Sequence, residues 1–283
     1  AEGGVRLTSQ EEAYMAQNRL LERIPFGVGK LAAGSQRAYT TFLNRLRADS
    51  FDAMANTLSS HKPMTPAEGK VIANFVNAAT GRGDIARGAE GLNRVFFSPR
   101  YFASRIQLLT GQPLYRGTAR TRALIAREYG QTLLGYAVFY TLAKMALPDS
   151  EIETDLRSSD AGKIVLGNTR LDPLAGLQQP TVLLYRTRTG ETMNLNGRVS
   201  PVEARTYTDF LRSKLAPIPG AVWDVGQLLR EYQTGKPQGG RPVTPGTIIQ
   251  GLTVPLAFQD IAKVMEDQGV PRGTILQLLS FFG

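Results

Sequence analysis

The segment TPAEGKVIANFVNAAT, residues 65–80, opens with a helix-start signal. Thr65 and Glu68 have the spacing of a capping box, in which a hydroxyl and a carboxylate each accept a hydrogen bond from a backbone N–H of the first turn. Pro66 stands at the first helical position, where the missing N–H is not needed. We therefore predict a helix over residues 65–80.

Related start signals recur along the rest of the chain. They are Ser9 with Glu12, Ser98 with Pro99, Asp172 with Pro173, Ser200 with Glu203 and Pro201, and Thr244 with Pro245. Together with the apolar pattern, these signals predict a chain built mainly of helices. The predicted helices are 9–23, 34–58, 65–80, 84–95, 98–110, 117–147, 173–187, 200–215, 219–233, 255–268 and 271–282.

Strand signals are confined to two short stretches. Residues 163–172 predict a hairpin that turns at Gly167, and residues 192–199 predict another that turns at Gly197. Residues 235–246, rich in Pro and Gly, predict a loop. The expected fold class is mainly α, a multi-helix bundle of short helices with one or two small β-hairpin arms.

Composition favours a folded protein, because 42% of the 283 residues are apolar, enough for one large core or two modest cores. The chain has no Cys, so packing rather than disulfides must hold the core. We expect three regions: N-terminal helices at 1–62, a basic helical region at 63–150, and a hairpin arm with C-terminal helices at 151–283. Because the sequence begins at Ala1 without a leader, we expect a processed chain or a piece of a longer polypeptide.

The most apolar stretch is residues 129–147. It carries no charge from Gly130 to Ala143, and Lys144 follows. A membrane-spanning helix needs about 20 apolar residues, more than this uncharged run supplies. We predict a buried core helix, and insertion into a membrane is the alternative.

Positive charge is concentrated in the first half of the chain. The net charge is +9, of which residues 1–130 carry +8. Between residues 82 and 127, nine Arg face only Asp84 and Glu90. The candidate contacts for nucleic acid or an anionic surface are Arg82, Arg87, Arg94, Arg100, Arg105, Arg116, Arg120, Arg122 and Arg127. The alternative is a set of solvated faces and interhelical ion pairs.

Patterns typical of catalysis are sparse. The only His, His61, is expected in an exposed turn between two helices. The Gly-rich stretch 81–91 lacks the Gly-Lys-Ser/Thr ending of a P-loop and is expected to form a tight interhelical corner. The carboxylates of residues 151–160 do not have EF-hand spacing. We predict no catalytic, metal or cofactor site and no enzyme activity, with a cell-wall hydrolase as the least favoured alternative.

Three blocks in a fixed order resemble a known family. The first contains TGRG at 80–83 and FFSPR at 96–100, the second contains ETDLRSSD at 153–160 and GNTR at 167–170, and the third is FLRSKLAP at 210–217. Helices around Trp223 and Pro255 follow. This order is similar to a segment near the carboxyl end of the large polyvalent and internal virion proteins of tailed phages. The resemblance covers roughly residues 65–283.

The resemblance implies an ejection protein, packaged inside the capsid with the genome and delivered into the host envelope and periplasm. There such proteins form a homo-oligomeric ring or tube that conducts DNA. The implied partners are further copies, other virion proteins, DNA in the lumen and the host membrane. The resemblance transfers no active site to any residue. It is also compatible with a DNA-binding anti-restriction protein that is injected together with the phage DNA.

Overall fold

The computed structural model describes residues 4, 5, 7, 28–85, 92, 95–174, 176–194, 196–234 and 243–248; the side chains of 28–33, 35, 36, 217 and 218 are not described. These residues form two compact units. The first contains the described residues up to Leu92 together with Ser98–Pro148, and the second contains residues 95–97 and the described residues from Asp149 onward.

The first unit is helical. Its described elements are α1 (Val28–Ser59), α2 (Pro66–Ala79), α3 (Pro99–Leu109), a 3-10 turn (Gln112–Tyr115) and α4 (Ala119–Ala146). The short helix α2 contacts each of the other three helices. The core contains Met54 and Leu58 from α1, Ile72, Phe75 and Val76 from α2, and Leu124 and Ile125 from α4. The core therefore forms around α2.

The capping box predicted at the start of α2 is confirmed. The Thr65 hydroxyl accepts a hydrogen bond from the backbone N–H of Glu68, and the Glu68 carboxylate accepts one from the backbone N–H of Thr65 at 3.0 Å. Helix α4 begins in a similar way, because Thr118 accepts a hydrogen bond from the backbone N–H of Thr121. Helix α3 begins at Pro99, but Ser98 has a positive φ of 49° and makes no side-chain capping bond.

The second unit combines two small antiparallel sheets with helices. One sheet has the order β1 (Glu151–Ile152), β2 (Ile164–Leu166), β3 (Thr169–Leu171), and the other pairs β4 (Glu191–Met193) with β5 (Val199–Pro201). Helix α5 (Gln178–Thr189) lies between the sheets in sequence, and α6 (Ala204–Ser213) and α7 (Pro217–Thr234) follow. Phe96 also belongs here, since it forms an antiparallel bridge with Leu215.

The predicted fold class is confirmed: the described residues are mostly helical, with two small sheets. Both hairpins lie where expected, and Gly167 and Gly197 supply the positive φ values of their turns. The strand β1 was not predicted. Residues 245–248 are helical after Thr244, as expected. The predicted helices 9–23, 255–268 and 271–282 lie outside the described residues, as does the signal at Ser9 and Glu12.

Three predicted helices are wrong in part. The Asp172 carboxylate accepts a bond from the Leu174 N–H and stabilises a turn, so α5 begins only at Gln178. Ser200 pairs with Thr192 in the second sheet, so the capping box predicted there does not form and α6 begins at Ala204. The described residues of the predicted helix 84–95 are not α-helical.

Substitutions at two glycines would test how closely the helices of the first unit pack. At Gly83, in the corner after α2, an added Cβ would lie 2.3 Å from the backbone nitrogen of Ser104, whereas at Gly135 in α4 it would meet no atom within 4 Å. We expect Gly83→Ala to lower the free energy of unfolding by about 1–3 kcal/mol, because the α3 backbone must move away. Gly135→Ala should raise it by about 0.5–1 kcal/mol through helix propensity. Urea unfolding measures both values, and equal effects would contradict this packing.

Candidate assembly and anion-contact surfaces

Helix α4 is buried at its start and exposed along most of its second half. Leu124 and Ile125 lie in the core, and the Tyr129 ring packs against Phe75 with ring centroids 6.0 Å apart. Beyond this point, Leu133 is 68% exposed and Leu134 is 65% exposed. The prediction of a buried core helix at 129–147 is therefore wrong for this face, although Ala143 and Leu147 are buried.

The exposed side chains of α4 form a row along one side of the helix. Leu134, Val138, Leu142 and Met145 follow one another at intervals of four, four and three residues, which is the spacing of a single helical face. The row extends over about 16 Å at a rise of 1.5 Å per residue. We call it the α4 apolar face. Monomeric soluble proteins rarely expose a contiguous apolar surface of this kind, so the face has the character of a contact surface.

Shorter apolar rows are exposed on two other helices. Phe42 and Leu46 lie one turn apart on α1. On α7, the exposed residues Val222, Val225, Leu229 and Tyr232 follow the three-four-three spacing of a helix-packing seam. Each compact unit thus presents at least one apolar helix face to solvent.

No helix among the described residues combines the length and the hydropathy that crossing a membrane requires.

The candidate arginines occupy different environments. Arg116, Arg122 and Arg127 are exposed. Arg122 and Arg127 are five residues apart on α4, so they point in directions about 140° apart around the helix. The remaining candidates are placed as follows: Arg82 is buried, Arg100 is half-buried, Arg105 lies 4.3 Å from the Tyr101 ring centroid, Arg120 is bound to Glu68, and Arg87 and Arg94 are outside the described residues.

Arg120 links α4 to α2. Its Nε donates to Glu68 Oε1 at 2.7 Å, and one terminal nitrogen donates to the other carboxylate oxygen. The Thr118 hydroxyl donates to the same Oε1 at 2.7 Å. Only 3% of Glu68 is exposed, so these bonds replace the water that a carboxylate requires.

Arg120 also holds the loop between α1 and α2. Its terminal nitrogens donate to three backbone carbonyls, those of Leu58 at 3.2 Å, Lys62 at 3.0 Å and Pro63 at 3.0 Å. These contacts occupy the guanidinium, which was one of the candidates for contact with nucleic acid or an anionic surface. Arg120 instead forms an interhelical ion pair, the alternative interpretation of the arginine-rich segment. Local spacing does not reveal which carboxylate Arg120 binds, because the two partners lie 52 residues apart.

Glu68 and Arg120 each stabilise the charged form of the other. The hydrogen bonds from Arg120, from the Thr65 backbone and from Thr118 hold the pKa of Glu68 far below its ordinary value of 4.5, although burial acts in the opposite direction. The bond with Glu68 raises the pKa of Arg120. Both groups therefore remain charged throughout the neutral range.

The residues considered for catalysis or metal binding are placed as follows. His61 is exposed in the turn after α1, as predicted. Asp155 pairs with Arg157, and Asp160 pairs with Lys163 and Arg170. In the described parts of the chain, no group of three or more His, Cys, Asp or Glu side chains is arranged to hold a metal ion.

Comparison with known proteins adds no relative. No family model matches the chain, and neither a curated protein nor a solved structure matches it. Its function must therefore be inferred from the residues and geometry described above.

The bonds between Glu68, Arg120, Thr118 and Thr65 predict that the folded protein loses stability in acid. Because the pKa of Glu68 is lower in the folded state than in the unfolded state, its contribution to stability is complete above the unfolded value near 4.5 and is lost as the pH falls through the folded value. We expect Glu68→Gln to be less stable than wild type at pH 7, with the difference shrinking below pH 4. Chemical unfolding from pH 7 to pH 3 measures this difference. A constant difference would contradict the role assigned to the ionised carboxylate.

Proposed function

We propose that this chain is a self-associating structural protein whose copies join through the α4 apolar face. The observation that carries the proposal is the row of exposed, uncharged side chains from Leu134 to Met145. In the first half of the chain, charge is otherwise dense. A face that lacks charge and exposes large apolar groups stabilises contact by being removed from water.

A second copy of the chain is the occupant that this face fits best. Each copy carries a net charge of +9, so two copies repel each other over most of their surfaces. The run from Gly130 to Ala143 contains no Asp, Glu, Lys, Arg or His. Two such runs can meet without bringing like charges together.

A ring or tube requires more than one contact surface on each copy. Rings form when a surface on one copy contacts a different surface on the next. The apolar row on α7 is a second helix face, distinct in sequence and located in the other compact unit. The chain therefore has the apolar surfaces that a head-to-tail contact uses.

The exposed arginines support a role for DNA in this assembly. Arg116, Arg122 and Arg127 are exposed, and hydrated guanidinium groups bind phosphate with release of counterions. Together with the family resemblance, this supports a phage internal virion (ejection) protein that conducts DNA through its lumen. Its proposed route leads from the capsid interior to the host envelope and periplasm, in contact with other virion proteins and the host membrane.

The same arginines also favour the second candidate, a DNA-binding anti-restriction protein that acts as a monomer after injection. The two functions differ in whether DNA binding depends on self-association. A peptidoglycan zymogram separates both from the cell-wall hydrolase, and we expect no clearing.

Self-association is tested by substituting the α4 apolar face. We expect wild type to form oligomers whose proportion rises with concentration. The double variant Leu134→Gln, Leu142→Gln should weaken association by about tenfold or more, since each buried leucine contributes about 1.5–3 kcal/mol. Analytical ultracentrifugation at several concentrations measures the association of wild type and of the double variant.

The matched control is Leu184→Gln with Leu211→Gln, two leucines of the second unit that are each 50% exposed. This control should associate as wild type does. A wild type that stays monomeric at every concentration, or equal weakening in the two double variants, would contradict the proposal.

DNA contact is tested by salt dependence. Each arginine that neutralises a phosphate adds about 0.9 to the slope of log K against log salt for duplex DNA. We expect the triple variant Arg116→Gln, Arg122→Gln, Arg127→Gln to bind duplex DNA more weakly. Because Arg122 and Arg127 point in different directions, the slope should be smaller by about one to two. Fluorescence anisotropy at several salt concentrations measures the slope.

The control is a triple variant of exposed arginines in the second unit, Arg188→Gln, Arg198→Gln and Arg230→Gln. It removes the same amount of charge from another part of the chain. Identical slopes in the two triple variants would show that net charge alone governs binding. Full DNA affinity in the Leu134→Gln, Leu142→Gln variant at monomeric concentrations would favour the anti-restriction protein.

A further inference from the structure

The second unit contains a cleft with a volume of about 500 Å³, lined by residues of α5, α6 and both sheets or their adjoining loops. Three basic side chains line it, those of Lys163, Arg186 and Arg205, against the single carboxylate of Asp209. Hydroxyl groups, including that of Thr192, also line the cleft. The cleft is therefore polar, with an excess of positive charge.

Arg186 differs from Arg157 and Arg212, the other partly buried arginines of this unit, because no carboxylate among the described residues binds it. Its Nε donates to the backbone carbonyl of Arg157 at 2.9 Å, which fixes the guanidinium in place. Among the described residues, its terminal nitrogens have no acceptor. By contrast, Arg157 is bound by Asp155 and Glu191.

The other two basic groups differ in how far they are neutralised. Lys163 donates to Asp160 at 3.1 Å. Arg205 is mostly exposed, and its only ion pair in the described chain is a 4.0 Å contact with Glu203. Such an exposed pair is weak, so Arg205 can turn toward an anion in the cleft.

The electrostatics of Arg186 agree with this geometry. Burial lowers the pKa of Arg186, and no carboxylate in the described part of the chain offsets the effect. A guanidinium nevertheless remains protonated at neutral pH. The chain thus keeps a desolvated cation at the wall of an open cleft, an arrangement that an incoming anion stabilises.

We propose that this cleft binds a phosphate group, held by the terminal nitrogens of Arg186 and by Arg205. A planar guanidinium with two terminal NH2 groups matches the geometry of phosphate oxygens, and hydroxyls such as that of Thr192 can donate further bonds. A cleft of this size accommodates a small phosphorylated molecule. The phosphate comes either from such a molecule or from a strand of nucleic acid.

Isothermal titration calorimetry of the full chain in a phosphate-free buffer tests the site. The probes are inorganic phosphate, a 5′-mononucleotide and a short single-stranded oligonucleotide. We expect all three to bind, and Arg186→Gln to weaken inorganic phosphate by about tenfold or more, as expected for loss of charged hydrogen bonds. Tighter binding of the mononucleotide than of the oligonucleotide per phosphate identifies a small molecule as the source, and the reverse identifies nucleic acid.

Two further variants complete the test, one as a second change inside the cleft and one as a control outside it. Arg205→Gln changes an exposed side chain that can be lost without unfolding the unit, and it should also weaken phosphate binding. Arg188→Gln removes one charge from an exposed position on the same helix outside the cleft lining, and it should leave binding unchanged. The proposal is overturned by a wild type that does not bind millimolar phosphate, or by equal affinities of wild type, Arg186→Gln and Arg205→Gln.

Discussion

The ion pair between the buried Glu68 and the half-buried Arg120 is the constraint on which the first unit depends. A carboxylate that is 3% exposed must keep its partners, because a buried unpaired charge is strongly unfavourable. Its partners come from α4, from the Thr118 cap and from the start of α2, and Arg120 also binds the loop after α1. One pair of side chains therefore fixes the ends of three helices, and the apolar core fills the space between them.

The length of α2 explains why this helix leaves the α4 apolar face uncovered. Helix α2 has 14 residues and is about 21 Å long, whereas α4 has 28 residues and is about 42 Å long. Because the Arg120 contact anchors the start of α4 beside α2, the shorter helix can cover only the first half of the longer one. The second half keeps its apolar side chains without the partner that α2 supplies to Leu124 and Ile125. The exposed face that we propose as an assembly contact thus reflects the difference in length between α2 and α4.

The sequence predicted the features that depend on neighbouring residues. The capping box at Thr65 and both glycine hairpin turns are local, so spacing alone revealed them. The helix expected at Ser200 did not begin there, because strand pairing with Thr192 took precedence over the local signal. For Arg120 the sequence leaves open an anion contact or an interhelical ion pair, because its partner is distant in sequence. Only the folded structure shows that the terminal nitrogens of Arg186 have no acceptor among the described residues.

The two proposed kinds of contact respond to salt in opposite ways, so their dependence on ionic strength distinguishes them. Contact through the α4 apolar face involves no charge, and screening reduces the repulsion between copies that each carry +9. Phosphate contacts through Arg116 or Arg186 weaken as salt rises, because less entropy is gained by releasing counterions. The balance between self-association and anion binding therefore shifts with ionic strength. A protein built in this way favours anion contacts in dilute salt and contacts between its own copies in concentrated salt.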